Sequence, residues 1–164
     1  MHVHAKGFVH GHLKLNHFYR LCDFWKEPIM KKNMKPVDKK TKYSSPSEFT
    51  KFLAPEVYLR QPYDYSIDYW SLGFLLYTYL NPKTSVLSLS DEDLYSLIIK
   101  GNFNFNEPGW EDISLYAKDF IDRLVYLIPK RRITGRAVTK QPWVNPKLLE
   151  KKMLVAEKRR TNRL

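Results

Sequence analysis

The sequence predicts a mainly α globule of one domain, and three helical segments carry that prediction. Asp68 opens an apolar run from Tyr69 to Leu80. At twelve residues this run is too short to span a bilayer, so it reads as a buried helix. Asp91 to Lys100 is entered by Ser90, carries acids in its first turn and is followed by Gly101. Those are start and stop signals of a helix. Ser114 opens the third, where Tyr116-Ala117, Phe120-Ile121, Leu124-Val125 and Leu127-Ile128 recur at helical spacing until Pro129 closes it.

The remaining elements follow in chain order. Residues 1–22 alternate apolar and polar types, through Phe8, Val9, Leu13, Leu15, Phe18 and Leu21, and predict short extended pieces joined by turns. Residues 26–50 are rich in Lys, Pro and Ser and predict a long loop. A loop of that length in a compact domain is usually functional or mobile. Ser66 or Asp68 is the expected N-cap of the central helix. Residues 81–90 form a polar connection, Thr134 to Thr139 a short helix before Pro142, and the Lys/Glu/Leu-rich tail from Pro146 a further helix. Two units result: residues 1–145, with 26–50 as an inserted loop, and a basic helical tail, residues 146–164.

Composition narrows the function classes. A chain of 164 residues with 43% hydrophobic and 15% aromatic content can bury a real core. One cysteine, Cys22, excludes an internal disulfide framework and fits a reducing compartment, cytoplasmic or nuclear. The first eighteen residues carry five histidines and no sustained apolar core, so no secretory leader is expected. The net charge of +11 is uneven. Residues 26–42 hold seven lysines against two acids, and residues 147–163 seven Lys/Arg against two acids, so each is +5 and the other 130 residues total +1. The globule is near neutral with two basic appendages, which favours a solvated surface over a nucleic-acid footprint. No nucleic-acid-binding signature accompanies the charge.

The motifs form an ordered series. Lys51-Phe52-Leu53-Ala54-Pro55-Glu56 is followed, twelve residues after Glu56, by Asp68-Tyr69-Trp70-Ser71-Leu72-Gly73. Upstream lie Val9-His10-Gly11-His12-Leu13-Lys14 and Leu21-Cys22-Asp23-Phe24-Trp25; downstream lie Pro129, Arg132 and Gln141-Pro142-Trp143. Taken together the series resembles the lower, C-terminal lobe of a protein kinase, and Ile99 to Phe105 with Pro108, Trp110, Ile113-Ser114 and Ala117 to Ile121 is similar to the calcium/calmodulin-dependent Ser/Thr kinase group. The implied fold is a kinase-like C-terminal lobe lacking the N-terminal β lobe. The resemblance implies that Glu56 pairs with Arg132, tying the activation segment to the helical core. It implies that Asp68 accepts hydrogen bonds from the catalytic-loop backbone, whereas the bland reading of Asp68 is a plain N-cap. Trp70, Trp110 and Trp143 read as core aromatics.

The catalytic half of the resemblance is altered. His12 stands at the family's general-base aspartate, and Lys14 remains as the loop lysine. Imidazole can accept a proton near neutral pH but lacks the fixed charge that orients a hydroxyl. Asn16 lies two residues after Lys14 where the family's magnesium-binding asparagine lies three after. Asp23 matches the magnesium-binding aspartate, but Trp25 replaces the glycine that lets the segment turn. Phe49 takes the place of the substrate-loop threonine, with Thr50 one residue out of register. No two of the chain's six glycines are separated by one residue, so the glycine-rich phosphate cover that phosphoryl transfer uses is not in this sequence.

Three functions stay open on these grounds. The first is an inactive kinase-like lobe acting as an interaction module through its surface, for which no cofactor is expected. The second is Ser/Thr kinase activity with ATP and magnesium, if the chain belongs to a longer product that supplies an upper lobe. The third is metal binding by the histidines: His2, His4, His10, His12 and His17 include two His-x-His pairs, and imidazoles at i and i+2 of a strand share a face. The competing explanation is that His4 and His10 occupy positions where kinases often carry histidine. In the resembled group a basic amphipathic segment after the Pro-Trp often binds calmodulin, which makes residues 145–164 a calmodulin candidate against the alternative of a solvated helix.

Overall fold

The computed structural model describes residues 2–5, 8–11, 13, 30–31, 51–81, 83 and 86–161. In chain order the elements are α1 (His2–Ala5), β1 (Phe8–Val9), β2 (Met30–Lys31), α2 (Pro55–Tyr58), α3 (Ser66–Leu80), α4 (Asp91–Lys100), α5 (Leu115–Leu124), α6 (Arg136–Thr139) and α7 (Pro146–Thr161). Short 3-10 turns at Val86–Ser88 and Pro129–Arg131 join them. The architecture is mainly helical, with one two-residue antiparallel pairing that sets Phe8 opposite Lys31 and Val9 opposite Met30.

Helix α3 is the axis of the molecule. It is buried on nearly every side, from Ile67, Tyr69 and Trp70 to Phe74, Leu75, Leu76 and Tyr77, as expected of a helix apolar all round. Helix α5 lies against it through Ala117, Phe120, Ile121 and Leu124. Gly73 permits that approach: a Cβ there would stand 2.5 Å from Leu124 Cβ and 2.8 Å from Val125 Cγ1. Around α3 the aromatic rings meet edge to face, with Phe103 at 5.7 Å from Trp70, 5.5 Å from Phe74 and 5.1 Å from Tyr77. Trp110 closes the cluster at 4.9 Å from Phe105. Such pairs contribute roughly 0.5–1.5 kcal/mol each beyond burial. Trp70 and Trp110 are fully buried, while Trp143 is half-buried against Phe120.

Several boundaries differ from the sequence expectation. His2–Ala5 is a helix, not an extended piece, and its His4 ring is fixed by α3 rather than by a strand partner. Within the segment expected as a loop, Met30–Lys31 pairs as a strand. Neither Ser66 nor Asp68 caps α3: Tyr65 is the N-cap residue, and the Asp64 carboxylate takes the Ser66 N–H at 2.8 Å. Helix α5 stops at Leu124 instead of running to Ile128, because the Arg123 carbonyl accepts the Ile133 N–H at 3.0 Å and the Tyr126 carbonyl accepts from Arg132. Helix α6 begins at Arg136, after Gly135, rather than at Thr134. Ser90 and Ser114 do cap α4 and α5, accepting from Asp93 N–H and Ala117 N–H, and Gly101 ends α4 at φ 65°.

Candidate functional site

Two buried polar centres organise the lobe, and both are built from residues far apart in sequence. Pro55 occupies the first turn of α2, after Ala54 in extended conformation, and this turns Glu56 inward. Arg132 follows the 3-10 turn at Pro129–Arg131 with extended backbone, which swings its side chain into the core from the opposite side. Glu56 and Arg132 meet there: Arg132 Nη1 donates to Glu56 Oε1 at 2.8 Å and Nη2 to Oε2 at 3.1 Å. Nη1 also reaches the Ser66 carbonyl at 3.0 Å and Nε donates to the Tyr126 carbonyl at 3.0 Å. The guanidinium carbon lies 5.1 Å from the Trp70 ring centroid. Both side chains are nearly solvent-free, at 0% and 3% exposure. A bidentate pair whose remaining donors are satisfied offsets its own desolvation, whereas one partner left alone does not.

The second centre is Asp68. Its Oδ2 accepts from the His10 N–H at 2.8 Å and its Oδ1 from the Gly11 N–H at 2.7 Å. His4 Nε2 lies 2.7 Å from Oδ2, and His4 Nδ1 lies 3.3 Å from the Tyr69 hydroxyl. The His4 ring also packs against Tyr65 and Tyr69 at 5.4 and 5.2 Å. Burial, with the Asp68 charge adding to it, pushes the Tyr69 hydroxyl above its ordinary range. Asp68 therefore fixes the backbone immediately before position 12 to the start of the central helix. A third tie, Ser71 Oγ donating to the Phe52 carbonyl at 2.8 Å, fastens the end of the Lys51–Glu56 segment to the same helix.

His12, Lys14 and Asp23, the residues expected to carry chemistry, lie outside the described residues, as do Asn16, Trp25, Phe49 and Thr50. What the described geometry supplies is scaffolding: both Asp68 oxygens and both Glu56 oxygens are taken by fixed donors. Among the described residues no group of three or more His, Cys, Asp or Glu is arranged to hold a metal ion. The His2-x-His4 pair sits on helix α1, where i and i+2 positions diverge instead of sharing a face. His4 directs its Nε2 at Asp68. No helix among the described residues is long and apolar enough to cross a membrane.

An anchored loop before position 12, an inward glutamate after Ala-Pro and a buried downstream arginine occur in the order of one known domain. The family model for the protein kinase domain matches residues 1–144. This chain belongs to the protein kinase domain family. Ribosomal protein S6 kinase 2 alpha of Gallus gallus is 32% identical over 161 residues, covering 89% of the chain and 20% of that protein. Ribosomal protein S6 kinase alpha-1 of Homo sapiens is 31% identical, covering 89% of the chain and 21% of that protein. Calcium/calmodulin-dependent protein kinase type 1 of Caenorhabditis briggsae is 37% identical over 94 residues, 57% of the chain and 26% of that protein. The chain thus spans about a fifth to a quarter of the length of these relatives.

Sequence reasoning did not assign partners to His4, Ser66 or Tyr126. The bond from His4 to Asp68 joins residues 64 apart in sequence. The Tyr126 and Ser66 contributions are backbone carbonyls, which carry no side-chain signal.

Proposed function

We propose that this chain is a kinase-like lobe that does not transfer phosphate by itself and acts as an interaction module. The observation that carries the reading is the contrast at positions 10–12. Asp68 holds the His10 and Gly11 backbone as a kinase scaffold requires, yet the next residue is His12 where the family uses aspartate. Phosphoryl transfer depends on positioning and electrostatic stabilisation. A neutral imidazole supplies neither the fixed charge nor the geometry of a carboxylate toward a hydroxyl. Trp25 beside Asp23 argues the same way, since a bulky side chain replaces glycine's freedom at the metal-binding turn. A lone carboxylate holds magnesium weakly, because magnesium is ordinarily bound through carboxylates together with the substrate's phosphates.

The test is a radiolabelled-ATP assay on the purified chain, with thermal-shift titration by ATP and magnesium. No phosphate incorporation and no shift are expected, and His12→Asp is not expected to restore activity. Incorporation that disappears in His12→Ala would overturn the reading and make His12 the base. A second partner reading concerns α7, which combines exposed Met153, Leu154 and Val155 with Lys151 and Lys152. Such a helix has the composition of a calmodulin target. Calcium-dependent heat on mixing calmodulin with a peptide of residues 145–164 supports it; no heat at micromolar concentration removes it.

A further inference from the structure

Away from both buried centres, helices α5 and α7 enclose a cleft of about 720 Å³, closed at one end by the turn after α6. Its walls are single helical faces. Tyr116, Asp119 and Arg123 project from α5, and Leu148, Lys151, Lys152 and Val155 from α7, which are spacings that align side chains along one face. Lys140 and Pro142 belong to the closing turn. The floor is apolar: Pro142 is buried, Tyr116 and Leu148 are half-buried, and Val155 remains 43% exposed. Lys152 Nζ lies 5.7 Å from the Tyr116 ring centroid, joining the two walls.

The charge in this cleft is one-sided. Four cations line it against one carboxylate, Asp119, which Arg123 Nε engages at 2.8 Å. Lys140, Lys151 and Lys152 are exposed, and no carboxylate among the described residues forms an ion pair with them. A site with an apolar floor and unneutralised cations at its rim favours a ligand that brings negative charge and apolar side chains together. A second copy of the chain is disfavoured, because each copy carries +11. A nucleic acid gains its affinity from many phosphates spread along a surface, and a recess between two helices offers it few contacts and leaves the apolar floor uncovered.

We propose that the α5–α7 cleft is a docking site for an acidic peptide segment of a protein partner, with an apolar side chain seated between Tyr116 and Val155 and carboxylates facing Lys140, Lys151 and Lys152. This names the partner chemistry of the interaction module and rests on that reading. Phosphate incorporation in the ATP assay removes the inactive-module reading, whereas only binding measurements bear on the cleft.

The experiment is fluorescence anisotropy on the purified full chain with three labelled twelve-residue probes. One alternates Glu or Asp with Leu, one replaces the acids by Gln and Asn, and one replaces Leu by Ser. The acidic-apolar probe is expected to bind, and both controls about tenfold or more weakly, a difference of one decade in Kd. Lys151→Glu with Lys152→Glu is expected to weaken the first probe at least about tenfold. Lys83→Glu with Lys130→Glu makes the same change in net charge outside the cleft and is expected to leave binding unchanged. Circular dichroism establishes that the variants fold; if the first pair does not, Lys140→Glu takes its place. Equal loss in both pairs, equal binding of the Ser probe, or no binding of the acidic-apolar probe overturns the site. Tighter binding of single-stranded DNA of the same length, lost in Lys151→Glu with Lys152→Glu, also overturns it and assigns the cleft to nucleic acid.

Discussion

Arg123 and Arg132 each bind a carboxylate at 2.8 Å, and the two pairs show what burial does to one kind of bond. Arg123 and Asp119 lie one turn apart on the outer face of α5, at 54% and 46% exposure. Arg132 and Glu56 lie 76 residues apart in sequence, at 0% and 3% exposure. Water solvates the first pair whether or not it forms, so its formation changes little. In the second, water has gone, and each charge depends on the other together with the Ser66 and Tyr126 carbonyls. A short distance alone therefore says little about energy; the cost of leaving a partner alone decides it.

The largest effect is expected where that cost is largest. Arg132→Ala leaves the Glu56 carboxylate buried without a counter-charge and is expected to lower stability by about 3–5 kcal/mol. The measurement is the urea midpoint at constant slope. A loss below about 1 kcal/mol would show that water reaches Glu56, and would remove the buried-pair account. Glu56→Gln, which keeps the shape and removes the charge, is expected to lie between the wild type and Arg132→Ala.

How much of this was legible beforehand depends on what each feature is made of. Helices α3 and α4 and the start of α5 were legible, because apolar spacing and the Ser90, Ser114 and Gly101 caps are local signals. The end of α5 was not: Leu127 and Ile128 continue the helical pattern, yet carbonyls of the last turn and beyond are claimed by Ile133 N–H and by Arg132. Helix α1 was missed because four residues carry too little periodicity to identify, and its His4 is held from α3, 64 residues away. The positions of Glu56, Asp68 and Arg132 were legible through the ordered motifs, but the carbonyls that complete the Arg132 cage were not. The α5–α7 cleft gave no motif at all, since it arises from two helical faces and a turn.

The inner face of α5 packs through Ala117, Phe120, Ile121 and Leu124, without charge. Gly73→Ala places a methyl group 2.5 Å from Leu124 Cβ, so α3 and α5 must separate. Overpacking of this kind typically costs about 1–3 kcal/mol. A stabilising or neutral result would show that α5 moves freely on α3. Because α5 also bears one wall of the cleft, the same variant is expected to weaken the acidic-apolar probe.

A smaller effect is expected at Tyr77, whose hydroxyl donates to the Asn104 carbonyl at 3.1 Å inside the aromatic cluster. Burial, aided by Glu107, pushes this hydroxyl up to about 12 from its ordinary 10.0. The sign follows from the neutral form being favoured in the fold. The contribution is fully present below pH 10, the unfolded value, and is lost as pH rises toward about 12. Tyr77→Phe is expected to cost about 1 kcal/mol at neutral pH through the lost hydrogen bond and to flatten the decline of stability in that alkaline window. Stability curves at pH 8 to 12, compared between the two proteins, provide the check; parallel curves would show that Tyr77 is not the titrating group.

The smallest effect belongs to the exposed pair, Arg123 and Asp119. The Asp119 hydrogen bond and charge raise Arg123 further above its ordinary range, so the guanidinium stays charged at every pH where the fold survives. Any effect of Arg123→Ala then reports the pair itself, together with its aliphatic stem along α5, rather than a change in protonation. For an exposed i,i+4 pair the expected coupling is about 0.3–0.5 kcal/mol. The measurement is a double-mutant cycle of Arg123→Ala and Asp119→Ala by urea unfolding, because single truncations also change helix propensity. Repeating the cycle near 1 M salt, where screening acts within about 3 Å, is expected to reduce the coupling toward zero. A coupling as large as the loss expected for Arg132→Ala, or one indifferent to salt, would mean that the outer face of α5 is shielded from water. The cleft between α5 and α7 would then be a closed interface within the chain instead of a surface open to a partner.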